Sequence, residues 1–517
     1  MIQLEAFKAA RSVIHGLGES RCLFITVQDT GGDFGMSAAS EKDAWAGGLP
    51  GLARTVAAER PDVGVKALDV EKEGRSAEVP ARRILRELTE GGPEVEVGLS
   101  SDGTRLSQGL EATQLSRTGA TNLPQDGTVV VHGAGHGIFT SSVVEMAKRQ
   151  RQRFALLGSV VMQEEDEDPF ASLSDPEDIR RALIELSRHQ GENAGTPELF
   201  EQQLHSFLQQ REVRRLMREL RAAGSNVCYF AVNSTDAGAL EAVLTQVRSQ
   251  WGGVAALLHA SASREESRIE AKTDSQLAQV LRSNLLGVEY LLALTKQDPI
   301  QLIGFLSPSL HESGSAGHAD YAMANETLNR IACAEAHRRG SNCVIRSINW
   351  AFCDDGTVSS QTEMSLSAQG IQIITRSQTG RVIVDEFSNN SRSDIQVLLA
   401  PRRPSGRAVL HTSYLKSQSE VQIDQANSPQ LQDHKVQGVP AVMVMEWFLR
   451  NARQTAGPKG FIRCRDFQQL QGIALPDYGK VSVPFSIVMD SLSSFQWAVS
   501  HLLGSSMPTG RCAIMLC

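Results

Sequence analysis

The chain of 517 residues carries a formal net charge of −8, with 41% hydrophobic and 21% charged residues. This composition suffices for ordinary globular cores in roughly two to four domains, and its acidic balance argues against a general nucleic-acid binder. No apolar run approaches the roughly 20 residues of a membrane helix, and the start lacks the apolar core of a signal peptide, so we expect a cytoplasmic protein. The eight cysteines include no CxxC pair, which argues against a zinc site or a disulfide framework.

The first 120 residues predict a unit in which strands and helices alternate. After a helical start, "RCLFITVQ" at 21–28 is rich in apolar and β-branched residues, which is typical of a buried strand. The glycine-rich turn "GGDFG" follows, then a helix that ends before Pro61, a second strand "VGVKALDVE" and a second helix "ARRILRELTEG". The turn formers of "RTGATNLPQDG" mark a boundary close to residue 120.

The alternation resumes after this boundary. Strands are predicted at 128–133, 153–159, 226–234, 254–261, 300–307 and 343–350, and helices at 138–150, 237–250, 274–295 and 320–338. An acidic stretch at 163–185, which we expect to be a solvated insertion, leads into a charged helical arm over 176–223. About six or seven strands with helical crossovers predict a doubly wound parallel sheet, that is, an α/β Rossmann fold.

A glycine-rich loop, "VVVHGAGHGIF", joins a predicted strand to a predicted helix. Gly133, Gly135 and Gly137 let the backbone turn tightly and let a pyrophosphate approach the amides of the helix N-terminus. By itself such a loop also fits a turn without a ligand. His136 within it could stack near a cofactor or face solvent.

The ordered motifs resemble ketoreductase domains of type I polyketide and polyunsaturated fatty-acid synthases, which belong to the short-chain dehydrogenase superfamily. The motifs are "GAGHGI", "LLGS", "VNSTD", "HASA", "DYAMANETLN" and "INWAFCDDG". The segment "WAGGLPGLARTVAAERPDVGVKALDVE" resembles the structural subdomain of these ketoreductases. The resemblance implies a truncated Rossmann-like subdomain without cofactor at 1–120 and a catalytic subdomain at 121–400. It implies NADPH bound by Gly133, Gly135, Gly137, Ile138, Ser159, Asn233, Ser234, Ala260 and Ser261.

The resemblance also implies a reaction, the reduction of a 3-oxoacyl thioester to a 3-hydroxyacyl thioester. A nicotinamide would supply a hydride, Tyr321 would donate the proton, and Ser307 would stabilise the developing oxyanion. Ser309 is the alternative serine, because the spacing to the tyrosine departs by about one residue from the family's. The substrate would arrive on the phosphopantetheine arm of an acyl carrier protein, with other synthase domains as partners.

Several positions depart from the family's pattern. Tyrosine has an unperturbed pKa of about 10 and works better beside a cation, which favours the phenolate. The family has a lysine on the preceding helix and an asparagine four residues after the tyrosine, whereas this chain has asparagine at both positions, Asn284 and Asn325. Ser159 replaces the arginine that faces the 2′-phosphate of NADPH, and Asn233 replaces the acidic residue near the adenine. "HGA" at 132–134 replaces the family's "TGG", and "SA" at 261–262 replaces the family's "AG".

Two hypotheses follow. The chain could be a working reductase with a weak NADPH preference, whose tyrosine is aided by another cation such as Lys272. It could instead be a degenerate ketoreductase that keeps the fold and serves as a structural or docking domain. Lys272 could also be an ordinary solvated lysine ahead of a helix. His318, three residues before the tyrosine, lies where the family shapes substrate entry.

The pattern changes at 400–415, where a linker enters extended segments and a short helix at 439–453. "LQDHKVQGVPAVMVMEWFLRNA" resembles the HxxxGxP segment of hotdog-fold dehydratase domains, which implies that 411–490 is a partial α+β hotdog and that His434 is the base. The segment departs from the family at Met443. We expect His434 to be an inert histidine, a vestige, or a residue that awaits an acidic partner on another chain. Residues 491–517 fit no pattern and stay unassigned.

Overall fold

The computed structural model describes most of residues 2–400, and beyond them only a set of strands between 420 and 516. Besides short breaks, the segments outside the described residues are 110–122, 134–136, 163–172, 190–196, 261–265, 309–315 and 354–372. The chain divides into two compact units, Met1–Val409 and Leu410–Cys517.

The first unit opens with a small α/β layer. Its elements are α1 (Ile2–Ile14), β1 (Leu23–Gln28), α2 (Glu41–Ala44), α3 (Leu49–Glu59), β2 (Gly64–Val70), α4 (Glu78–Glu90), β3 (Glu96–Leu99) and β4 (Arg105–Ser107). The described strands form a sheet in the order β1-β2-β3-β4, parallel except for the last pair. Pro50 lies in the first turn of α3, a position that suits proline because a helix start leaves its N–H groups unbonded.

A second and larger sheet follows. Its strands are β5 (Thr128–His132), β6 (Arg153–Gly158), β7 (Asn226–Ala231), β8 (Val254–Ala260), β9 (Leu302–Pro308), β10 (Val344–Trp350) and β11 (Gln396–Leu399). Among the described residues the order is β11-β10-β9-β8-β5-β6-β7, and all pairs are parallel. The order reverses at β5, which is the switch point of a doubly wound sheet and the place where such folds bind ligands.

Helices cover both faces of this sheet. They are α5 (Gly137–Arg149), α6 (Pro176–His189), α7 (Pro197–Ala222), α8 (Ala237–Trp251), α9 (Asp274–Leu281), α10 (Gly287–Leu294), α11 (Ala319–Arg339) and α12 (Arg376–Ser388). One apolar cluster packs α5 and α12 on one face, and another packs α8, α10 and α11 on the other. The expected α/β Rossmann fold is therefore confirmed for this part of the chain.

Two predicted helices differ in detail from the structure. The arm predicted over 176–223 consists of α6 and α7, with residues outside the described part between them. The helix predicted at 274–295 is interrupted by a π-helical segment, Arg282–Leu286. Such π-turns are rare and are frequently found at functional sites.

The small layer and the large sheet share one apolar cluster within the first unit. Phe7 of α1 and Leu52 and Val56 of α3 pack with Leu277 of α9 and Met323 of α11. Helix α3 also approaches α11 very closely, because a Cβ atom at Gly51 would lie 2.5 Å from the carbonyl oxygen of Ala322. Glycine is required where backbones meet at this distance.

The second unit contains an antiparallel sheet. Its strands are β12 (Glu420–Ile423), β14 (Cys464–Gln469), β16 (Val483–Met489), β17 (Phe495–His501) and β18 (Cys512–Leu516), and a separate pair joins β13 (Gly438–Val439) to β15 (Ile473–Ala474). The order of the five is β12-β16-β17-β18-β14. Two of these strands lie in 491–517, which the sequence left unassigned. His434 and nearly all of the helix predicted at 439–453 lie outside the described residues.

Within the part of the chain that the structure describes, no helix combines the length and the apolar character needed to cross a lipid bilayer.

Candidate active site

Two of the predicted catalytic residues lie at the carboxyl edge of the large sheet. Ser307 is the penultimate residue of β9, and Tyr321 is the third residue of α11, the next described helix along the chain. Both side chains are buried. The expected tyrosine helix therefore begins at the edge where parallel α/β sheets bind their ligands.

Ser307 is oriented by the neighbouring strand. Its register partner on β10 is Asn349, and its hydroxyl donates to Asn349 Oδ1 at 3.0 Å. Asn349 Nδ2 in turn donates to Asn329 Oδ1 on α11 at 3.3 Å, and the Ser347 hydroxyl donates to the same oxygen at 2.6 Å. Asn329 Nδ2 donates to Glu326 Oε2 at 3.5 Å.

Glu326 fixes the direction of this chain of hydrogen bonds. Burial works against its ionisation, but the guanidinium groups of Arg330 and Arg54 outweigh that effect and hold the pKa of Glu326 well below its usual value. An ionised carboxylate only accepts, so the amide nitrogens of Asn329 and then Asn349 must point toward it. Asn349 consequently turns its oxygen to Ser307, whose hydroxyl hydrogen is used in that bond.

Lys272 is buried, so the interpretation that it is a solvated surface lysine is wrong. Its Nζ lies 2.6 Å from Asp320 Oδ2, and both side chains are fully buried. Asp320 Oδ1 accepts the backbone N–H of Tyr321 at 2.8 Å. Because the carboxylate of Asp320 balances the ammonium charge, the pair offers the tyrosine no net positive charge.

The two asparagines at the family's lysine and asparagine positions are both buried. Asn284 lies in the π-helical segment that separates α9 from α10, and Asn325 lies on α11 one turn after Tyr321. A buried amide is neutral, so neither residue brings the charge that a lysine would bring to this region.

A pair of buried histidines lies at the carboxyl ends of two neighbouring strands. His132 ends β5, His259 is the penultimate residue of β8, and their Nδ1 atoms are 2.9 Å apart. One Nδ1 must donate and the other accept, so the pair cannot hold two imidazolium ions in this geometry. Burial lowers the pKa of His259 well below 6.5, the charge of His132 lowers it further, and a hydrogen bond with the backbone of Asn284 partly opposes both.

We expect acid to destabilise the fold through this pair. The folded pKa of His259 lies below the unfolded value of 6.5, so the unfolded chain takes up the proton first as the pH falls. The free energy of unfolding, measured with urea from pH 7.5 to 5.5, should fall by up to roughly 1.4 kcal/mol per pH unit below the unfolded pKa. His259→Phe should flatten this slope, whereas substitution of the exposed His337 by Gln should not. An equal slope in all three proteins would contradict the assignment.

Three of the predicted cofactor residues, Gly133, Gly137 and Ala260, lie at the end of β5, the start of α5 and the end of β8. Gly133 has a φ of +88°, and a Cβ atom there would lie 2.7 Å from the carbonyl oxygen of Ala260 at the end of β8. Gly137 begins α5 and the buried Ile138 follows it. Gly133 thus has no room for a side chain, and the N-terminal amides of α5, which begins at Gly137, are groups that can bind a pyrophosphate.

The residues expected near the adenosine end are exposed or half-buried. Ser159 follows β6 and is exposed, and Asn233 follows β7 and is exposed. Asn233 Oδ1 accepts from the backbone N–H of Thr235 at 3.0 Å and from its hydroxyl at 2.8 Å. Ser234 packs against Gly287 at the start of α10. Ser159 brings no charge for a 2′-phosphate.

Some predicted residues lie outside the described part of the chain, namely Gly135, Ser261, Ser309, His136 and His434. His318 is described: it precedes α11, and its Nδ1 lies 2.9 Å from the carbonyl oxygen of Ala316.

Sequence reasoning missed three polar residues that the structure brings to this region. Asp320 directly precedes the tyrosine, and Asn349 lies in the "INW" motif, so the sequence motifs around them could have indicated both residues. Glu59 had none, because it lies 262 residues before Tyr321 in a helix of the small layer.

The comparisons with known proteins agree with the fold. Residues 127–355 match the family model of the KR domain. This segment is similar to ketoreductase domains. A longer part of the chain is 26% identical over 404 residues to a polyunsaturated fatty acid synthase of Thraustochytrium sp., covering 75% of this chain and 14% of that protein.

Another relative matches a shorter stretch of the chain. Polyketide synthase PksL of Bacillus subtilis is 27% identical over 221 residues, covering 41% of this chain and 5% of the relative. The chain therefore spans only a small part, 14% or less, of these curated relatives.

Solved structures share the fold. A ketoreductase domain from the bacillaene assembly line aligns with a TM-score of 0.57 at 17% identity, covering 77% of this chain and 81% of that one. An A1-type ketoreductase aligns with a TM-score of 0.55 at 18% identity, covering 76% and 71%. The motif resemblance is thus confirmed for the ketoreductase domain, whereas these matches leave the hotdog segment without support.

Proposed function

We propose that the unit Met1–Val409 reduces 3-oxoacyl thioesters to 3-hydroxyacyl thioesters with NADPH, the thioester being carried by an acyl carrier protein. The observation that carries this proposal is the placement of buried Ser307 and Tyr321 on β9 and α11, inside the segment that matches the KR domain. The relatives are synthases with many more residues, which supports a carrier protein and other synthase domains as partners.

The chain's own part of the reaction is to hold the ketone and deliver a proton. The Tyr321 hydroxyl donates its proton to the carbonyl oxygen as negative charge develops there. Ser307 stabilises the same oxygen by hydrogen bonding. To do so its hydroxyl hydrogen must turn from Asn349 Oδ1 toward the substrate.

Gly133, Gly137, Ile138 and Ala260 would hold the dinucleotide at the end of β5, with Ser159 and Asn233 toward its adenosine end. A nicotinamide bound there would supply the hydride. Ser159 stands where the family has an arginine that contacts the 2′-phosphate of NADPH. Because this contact is lost, we expect discrimination between NADPH and NADH to be weak. A charge-assisted contact of that kind contributes about 1.5–3 kcal/mol.

The decisive experiment measures cofactor binding and turnover on the full chain. NADPH and NADH are titrated separately and followed by fluorescence, and NADPH oxidation is then followed with a model β-keto thioester. Binding together with thioester-dependent oxidation is expected. Absence of binding at millimolar cofactor would refute the enzymatic proposal.

The absence of the family's lysine favours a second function, that of a structural or docking domain. The family's lysine position is occupied by Asn284, and Lys272 is paired with Asp320. A degenerate ketoreductase that serves as a structural or docking domain of a synthase would show these losses. It would bind carrier or synthase domains without oxidising NADPH.

Restoring the lysine separates the two functions. In Asn284→Lys, an ammonium group at the π-helical segment should favour the phenolate of Tyr321 and raise kcat, with a lowering of the tyrosine pKa by one unit corresponding to about 1.4 kcal/mol. The matched control is Asn284→Met, which has a similar length and no charge. The assay is NADPH oxidation across pH 6–9. Equal rates for the two variants would show that other losses dominate.

For the second unit we propose a partial dehydratase-like hotdog over 411–490, with His434 as its base. The support is the motif around His434 and Gly438, together with the antiparallel strands on either side of it. A dehydration assay with a 3-hydroxyacyl thioester, comparing the chain with His434→Ala, would test it. Equal rates in the two proteins would refute it.

A further inference from the structure

A single carboxylate of the small layer reaches two distant segments of the ketoreductase part. Glu59, the last residue of α3, is 5% exposed. Its Oε1 accepts the backbone N–H of Gly317 at 2.8 Å, and its Oε2 accepts the backbone N–H of Ile269 at 3.0 Å. The Arg268 guanidinium also donates to the Glu59 carbonyl oxygen at 3.2 Å. Each carboxylate oxygen therefore has a backbone donor, which satisfies the buried charge.

Both segments lead to the ion pair beside the tyrosine. Ile269 lies three residues before Lys272, and Gly317 lies three residues before Asp320. The segments are also joined to each other, because Ser267 N donates to the Gly317 carbonyl oxygen at 2.9 Å. A shift of either segment away from Glu59 would thus move one partner of the Lys272–Asp320 pair.

That pair holds the first turn of α11. Asp320 bonds Lys272 with one oxygen and the backbone N–H of Tyr321 with the other. A second contact from the small layer acts on the same segment, because Arg11 of α1 donates to the Lys272 carbonyl oxygen at 2.6 Å. Gly317 has a φ of +77°, so its turn depends on a conformation that is natural only to glycine.

We propose that Glu59 is a positioning residue for Tyr321. Its carboxylate holds the segments of Ile269 and Gly317, and these segments carry Lys272 and Asp320. The Lys272–Asp320 pair in turn holds the tyrosine at the start of α11. The inference rests on the proton-donor role proposed above for Tyr321. It assigns a positioning task to the small layer, which would hold no cofactor of its own.

The test replaces one carboxylate oxygen by a donor. In Glu59→Gln the amide nitrogen cannot accept an N–H, so one of the two backbone amides loses its partner. The matched control is Glu87→Gln, which alters another buried carboxylate of the small layer whose ion-pair partners, Lys66 and Arg105, lie within that layer. Glu59→Asp, which keeps the charge but shortens the reach, serves if the glutamine variant does not fold.

Three kinds of measurement are made on the full chain. They are amide hydrogen exchange of peptides covering 266–272 and 316–322, steady-state kinetics (kcat and the KM values for the thioester and for NADPH), and the melting temperature. In Glu59→Gln we expect exchange in both peptides to rise about tenfold or more. We expect kcat to fall about 10- to 100-fold with little change in the KM for NADPH, because misplacement of a catalytic group by about 1 Å has that effect. Glu87→Gln should lower the melting temperature without either change.

Unchanged exchange in both peptides of Glu59→Gln would overturn the proposal, as would an equal loss of kcat in the two variants at equal melting temperature. The exchange measurement needs no turnover. A wild-type chain that binds NADPH but reduces no thioester would therefore refute the reductase function, while the exchange data alone would decide whether Glu59 holds the tyrosine segment.

Discussion

Tyr321→Phe should lower kcat for thioester reduction by about 10²–10⁴-fold, the usual contribution of a positioned general acid. The substitution removes one hydroxyl from a buried side chain at the start of α11 and leaves the ring in place. The measurement is the initial rate of NADPH oxidation at saturating thioester. NADPH affinity, followed by fluorescence, should remain within about twofold, because phenol and phenyl differ only in the hydroxyl.

Tyr290→Phe is the matched control, since Tyr290 lies on α10 in an apolar surface cavity with Trp45 and Leu286. It should reduce the thioester at the wild-type rate. If Tyr321→Phe also kept the wild-type rate, the tyrosine would not be the proton donor, and any observed reduction would have to use another acid.

Lys272→Met should destabilise the first unit by about 3–5 kcal/mol, the range for removing one partner of a buried ion pair. The loss leaves the fully buried Asp320 carboxylate without its cation. Burial already raises the pKa of Asp320 above 3.8, while Lys272 and the N–H of Tyr321 oppose that rise. In the variant the pKa should rise further, so the destabilisation should be largest at neutral pH and should shrink as the pH falls and Asp320 takes up a proton.

The double variant Lys272→Met/Asp320→Asn tests whether the charge is the cause. Asparagine keeps an oxygen for the backbone N–H of Tyr321, and no charge is left buried, so part of the lost stability should return. Urea unfolding at pH 7 compares the wild type, the two single variants and the double variant in one cycle. Equal stabilities of Lys272→Met and the double variant would show that lost packing dominates.

The ion pair also bears on the proposed reaction. A lysine two residues ahead of α9 could have served as the missing cation, but its ammonium group is held by the residue next to the tyrosine. The pair therefore helps to position Tyr321, because Asp320 holds its backbone N–H, and the net charge of the pair is zero. This is why we expect Asn284→Lys, which adds an unbalanced charge, to act on the rate.

The sequence by itself determined the layout of the chain. Alternating apolar runs and amphipathic stretches are local patterns, and the predicted strands at 128–133, 254–261 and 300–307 correspond to β5, β8 and β9. The ordered motifs likewise predicted the ketoreductase domain, because motif residues lie next to one another in the chain. The π-helical segment, which no local pattern marked, divides a helix that periodicity predicted to be continuous.

Only the tertiary structure decided how the candidate site is held. Lys272 and Asp320 are 48 residues apart, His132 and His259 are 127 apart, and Glu59 and Gly317 are 258 apart. The physical reason is that the partner of a buried polar group is chosen by the fold, which must satisfy every charge and amide that it removes from water. Residue type shows which groups need partners, whereas the packing of α3, α9 and α11 against the sheet shows which partners they obtain.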